Sequence, residues 1–94
     1  MRKYESLLDF SSEWPVAMKA IDSHRKAKEL VDGHDSWDFL EATVRRKHRG
    51  YSVHAPYSAF DSQVRSIVRL SVYVLEDEDS TISVSSKRNQ VSEC

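Results

Sequence analysis

"TVRRKHRGYSVHAPY", residues 43–57, carries four basic side chains, two histidines and two tyrosines. It reads as a nucleic-acid grip, as a catalytic cluster, or as a helix end whose charge serves the helix itself. The residues before it favour a helix from about Ser36 to Arg49. Asp35 or Ser36 can cap its free N–H groups. Asp38 and Glu41 sit near the positive end of the helix dipole, and Arg45 to Arg49 near the negative end. Trp37, Leu40, Val44 and His48 form an inward stripe, Glu41 and Arg45 an i,i+4 pair, and Gly50 the stop. Four cations in five residues exceed what a helix end needs. On this reading Asp38, Ala42, Arg45, Arg46 and Arg49 share an outward face, and the excess charge is the functional hint.

Upstream, Pro15 to Asp32 reads as another helix, since Pro15 suits a first turn and Gly33 a left-handed end. Ala17, Ala20, Ile21, His24, Ala27 and Val31 make its apolar stripe, with His24 as a hydrogen-bonded core residue. Residues 4–10, "YESLLDF", lean towards helix.

Downstream the pattern changes to alternation. "YSVHA" is a short strand ended by Pro56. "SIVRLSVYVL", 66–75, places Val68, Leu70, Val72 and Val74 on one side and Ile67, Arg69, Ser71 and Tyr73 on the other. The acidic run Glu76–Asp79 makes a turn, and "TISVS" returns with Ile82 and Val84 inward. The expected fold is α+β, two or three N-terminal helices packed on an antiparallel sheet of about three strands. A single domain spans residues 1–86, and residues 87–94 form a polar, frayed tail.

The 94 residues carry a net charge of −1, but between Thr43 and Leu75 six basic residues face one acid. Such asymmetry guides which partner approaches which side. A single cysteine, Cys94, rules out an internal disulfide and a paired-cysteine zinc site. No apolar run approaches the roughly 20 residues of a membrane span. The first residues meet acids too soon for a signal peptide, so a soluble cytoplasmic protein is expected.

The four histidines have no metal-ligand spacing. Gly33 and Gly50 stand alone, so no phosphate loop exists, and no nucleophile is marked by its neighbours. No cofactor, metal or catalytic residue is expected. The leading expectation is a non-enzymatic binding protein that inhibits or modulates a partner protein or nucleoprotein, of the kind phages and mobile elements encode. Its contact residues would be Arg45, Arg46, Lys47, Arg49, Tyr51, Arg65 and Arg69. The alternative is RNA or DNA binding by the same face, with Tyr51 and Tyr57 as stacking surfaces. A third reading is RNA cleavage by His48 or His54 with arginines and a tyrosine. Helices followed by strands resemble the element order of RelE-type ribonuclease toxins, a strand, two helices and three strands. That resemblance implies a strand within residues 4–10 and carries no residue of this chain into a catalytic role.

Overall fold

A computed structural model describes residues 1–32, 37–61 and 65–91. In chain order these form β1 (Arg2–Tyr4), α1 (Leu7–Glu13), α2 (Pro15–Asp32), β2 (Asp38–Phe39), β3 (Ala42–Arg46), β4 (Tyr51–Asp61), β5 (Ser66–Glu76) and β6 (Ile82–Val91). Sheet dominates. The strands pair antiparallel in the order β1-β3-β4-β5-β6, and β2 joins β4 on the edge it shares with β3. Two helices on a six-stranded sheet replace the expected two or three helices on about three strands.

The main correction lies in residues 36–49. Leu40 and Val44 are four apart, a spacing that suits a helix face and a strand face alike. The neighbours separate the two. Ala42, outward on a helix, is fully buried here, whereas Leu40 and His48, inward on a helix, are exposed. Ala42 and Val44 face the core and Thr43 and Arg45 face away, which is strand alternation. The expected cap at Asp35 or Ser36 and the stop at Gly33 lie outside the described residues.

Residues 4–10 also divide. Tyr4 ends β1, and α1 begins after Ser6, whose Oγ accepts from the Asp9 N–H at 3.3 Å. The second helix runs from Pro15 to Asp32; it buries Ala17 and Ile21 of the expected stripe together with Met18, whereas Ala27 is exposed. His24 is hydrogen-bonded, its Nε2 lying 2.8 Å from Ser86 Oγ of β6. Among the described residues no helix is long and apolar enough to cross a membrane.

Strand β4 continues through Pro56 instead of ending there. Leu40 N–H donates to Pro56 O at 3.1 Å, so the backbone of Pro56 faces the β2–β3 side. On that side the neighbouring strand breaks between Phe39 and Ala42, where Pro56 has no N–H to offer. Pairing with β5 is untouched and runs for eleven residues, from Tyr51 opposite Glu76 to Asp61 opposite Ser66.

The helices cover one face. Phe10, Ala17, Met18 and Ile21 pack onto Val53, Ala55, Tyr57, Leu70, Val72 and Val74. Each full-sized apolar side chain so buried contributes about 1.5–3 kcal/mol. The other face carries no covering layer among the described residues.

Residues 87–91 of the expected frayed tail form half of β6. Lys87 pairs with Ser71 and Val91 with Ile67. Arg88 reaches the covered face, where Nη2 lies 2.7 Å from Oδ2 of the buried Asp61 and the guanidinium lies over the Trp37 ring. Ending the chain at residue 86 removes that partner. Loss of a guanidinium from so buried a carboxylate costs about 3 kcal/mol, and Tm should fall by roughly 15 °C in a chain of this size. Thermal denaturation followed by circular dichroism checks this; an unchanged midpoint would return residues 87–91 to the status of a tail.

Candidate binding surface

Because β3 is a strand, the basic run is split three ways. Arg45 lies on the open face, opposite Ser52. Arg46 points to the helix side, its guanidinium 4.8 Å from the Trp14 ring centroid. Lys47, His48 and Arg49 occupy the exposed β3–β4 turn, which Lys47 N–H closes on Gly50 O at 3.1 Å. Gly50 has φ +84°, and a Cβ there would sit 2.1 Å from Glu76 O. Glycine is required at this point by both conformation and space.

That close approach brings the basic turn beside the acidic one. Lys47, His48 and Arg49 face Glu76, Asp77 and Glu78 across a shallow groove of about 270 Å³. Asp77 organises its own turn, with Oδ1 accepting from the N–H groups of Asp79 and Thr81. The two opposite charge clusters are therefore neighbours. Each offsets the field of the other, so this end of the sheet is a poor source of free positive potential.

The remaining candidates separate further. Arg65 sits at the opposite end, exposed in the β4–β5 connection with φ 51°. Ten strand steps of about 3.4 Å put it roughly 34 Å from the basic turn. Arg69 is exposed on the open face. Tyr51 and Tyr57 are buried and offer no stacking surface. Tyr51 packs on Trp14 at 4.7 Å between centroids, and Tyr57 meets Phe39 and the Arg25 guanidinium. The structure thus brings Arg45 and Arg69 onto one surface, and leaves Arg46, Lys47, Arg49, Tyr51 and Arg65 off it.

That surface is the uncovered face of the sheet. Four cations from four strands stand on it: Lys3, Arg45, Arg69 and Lys87, all exposed. Asp38, at the edge opposite Ser58, is the one acid among its described strand positions. None of the four cations belongs to an ion pair among the described residues. Thr43, Ser52, Ser58, Ser71, Ser83 and Ser85 fill much of the space between them.

The aromatic part of the surface is a stacked pair. His54 and Tyr73, directly opposite across β4 and β5, lie 4.8 Å apart at 10°. They line a depression of about 290 Å³ together with Thr43, Arg45, Ser52 and Leu75. His54 Nε2 is buried and has no hydrogen-bond partner among the described residues. Phe60, 66% exposed, stands on the same face three rows away, roughly 20 Å along the strands.

Tyr73 and Arg69 were legible as face-sharing residues from the alternation of β5, although Tyr73 did not enter the expected site. Lys87 was hidden by the apparent tail. Lys3 carries no signal until β1 is paired. The His54–Tyr73 contact needs the β4–β5 register, which periodicity alone does not supply.

Neither family models, curated proteins nor solved structures match this chain. The functional reading rests on geometry.

Burial of Tyr57 has a measurable consequence. Loss of solvent raises its pKa to about 12, the nearby Arg25 charge lowering it and Asp22 raising it. A folded value above the ordinary 10 means that its contribution to stability is complete below pH 10 and is lost as pH rises through 12. Phenolate absorbance at 295 nm in the folded protein should therefore lack the Tyr57 contribution at pH 11, and Tyr51, also raised by burial and by Glu76, adds to the deficit. The rise between pH 11 and 12 should be smaller in Tyr57→Phe than in the wild type. Titration of all four tyrosines with midpoints near pH 10, without unfolding, would contradict the buried placement.

Proposed function

We propose that the chain is a non-catalytic binding protein whose working surface is the open face of the sheet and whose ligand is single-stranded nucleic acid. The observation that carries this reading is the acid-poor cationic face bearing the His54–Tyr73 stack, whose Tyr73 ring is exposed. Lys3, Arg45, Arg69 and Lys87 supply phosphate contacts, and the serine and threonine hydroxyls supply donors between them. Tyr73 offers a ring face and Phe60 a second one, and bases stack on such rings whatever their sequence. The roughly 20 Å between the two suits the short end of single-strand site sizes, about four nucleotides. A cytoplasmic setting suits such a ligand.

RNA cleavage is the second reading, because Arg45, His54 and Tyr73 line one depression. Binding is preferred because His54 Nε2 is buried, which removes that nitrogen from proton transfer with a bound strand.

Anisotropy of a labelled single-stranded oligonucleotide tests this directly. Each phosphate contact contributes about −0.7 to the salt slope, so four cations should give about −3. The double variant Arg69→Glu, Lys87→Glu should abolish binding at about 50 mM salt while keeping its circular dichroism spectrum. Tyr73→Ala should weaken binding by about 1–3 kcal/mol. No binding of RNA or DNA at low salt sinks the reading, as does unchanged affinity in the double variant. Capture of an acidic protein by the wild type alone, with no oligonucleotide bound, would transfer the surface to a protein partner. Cleavage of RNA that is lost in His54→Ala would replace binding with catalysis.

A further inference from the structure

A second concavity lies on the other side of β3, about 490 Å³ in volume and lined by Met1, Arg2, Tyr4, Glu13, Trp14, Val44 and Arg46. Its size falls within the usual range of small-molecule sites. Val44 forms an apolar floor between two arginines, since Arg2 pairs directly with Val44 and Arg46 is two residues further along β3. The Trp14 indole N–H donates to Tyr4 Oη at 2.9 Å, and Tyr4 Oη donates to Glu13 Oε2. These bonds fix both aromatic rings in the wall.

Both guanidinium groups lie over those rings. Arg46 Cζ lies 4.8 Å from the Trp14 centroid and Arg2 Cζ lies 5.0 Å from the Tyr4 centroid. A guanidinium placed over a ring still has N–H groups that can pair with a carboxylate. Arg2 is shared with Glu13, at 3.5 Å. Arg46 is exposed and belongs to no ion pair among the described residues. Arg2 and Arg46 against the single carboxylate of Glu13 leave the cavity wall net positive.

We propose that this cavity binds a small aromatic carboxylate, its carboxylate on Arg46 and its ring against the Met1 and Val44 side chains. Glu13 disfavours a negative group at the Arg2 side, which places the ligand's carboxylate at Arg46. Trp14 holds Arg46 in place before the ligand arrives, so little side-chain order is lost on binding. Arg46 and the open-face Arg45 point to opposite sides of the sheet, and Met1 at its edge borders both concavities.

Titration of the ¹⁵N-labelled protein with phenylacetate tests the proposal, with acetate and inorganic phosphate as comparison probes. The Trp14 indole N–H and the Arg46 Nε–H should shift saturably with phenylacetate, with a Kd of order 1 mM. Acetate and phosphate should bind at least about tenfold more weakly, and Arg46→Gln should cost a similar factor. Lys87→Glu, on the opposite face, should leave phenylacetate binding intact. Absence of saturable shifts overturns the site. Equal affinity for acetate or phosphate overturns the aromatic specificity, and unchanged affinity in Arg46→Gln overturns the role of Arg46. Amide spectra of Arg46→Gln that overlay the wild type away from residues 44–46 show that loss of binding is not loss of fold.

Discussion

The eleven-residue pairing of β4 with β5 is the constraint on which the rest of the molecule depends. It puts Val53, Ala55 and Tyr57 beside Val74, Val72 and Leu70, and that composite surface is what the two helices cover. A strand has only two sides, so the same register assigns Ser52, His54, Pro56 and Ser58 to the other face. Slipping the pairing by one residue would send the polar set into the core and the apolar set into water. Gly50 against the Glu76 carbonyl holds one end of the ladder, and no other residue fits there. Core and candidate surface are two consequences of one register.

How much of this could be read from the sequence varies with how its polar residues are used. Strand β5 was legible because its alternation is long and apolar on the inner side. Helix α2 was legible because Pro15 marks its start and Ala17 and Ile21 its inner stripe. Strand β3 was not, because Leu40 and Val44 satisfy periods of two and of 3.6, and the basic residues after them satisfied a helix dipole. Strand β6 was half legible. Ile82 and Val84 announce its first turn inward, but the same face then continues as Ser86 and Arg88. Those two are accommodated by hydrogen bonds to His24 and Asp61, partners 62 and 27 residues away. A strand whose inner face is polar resembles a tail until its partners are known. Tyr51 is a different case: its alternation with Val53 and Ala55 already placed it inward, against the stacking role expected of it.

Splitting of the basic run changes the electrostatic argument. On a helix, Arg45, Arg46 and Arg49 would have shared a face, and their crowding would have exceeded what the helix dipole uses. On a hairpin they diverge: Arg45 to the open face, Arg46 to the Trp14 ring, Lys47 and Arg49 to a turn beside Glu76–Glu78. Local density of charge in the sequence therefore says little about positive potential. The cations that do combine, Lys3, Arg45, Arg69 and Lys87, are spread over 85 residues and meet only through strand order.

Net charge then acquires a direction. The chain carries 15 acids and 14 Lys and Arg, yet one acid and four bases occupy the described strand positions of the open face. The rest of the molecule must be the more acidic part. On the proposed reading, such a distribution presents the open face first to a polyanion. Stacking on Tyr73 and Phe60 requires unpaired bases, so on the proposed reading the open face takes a single strand in preference to a duplex.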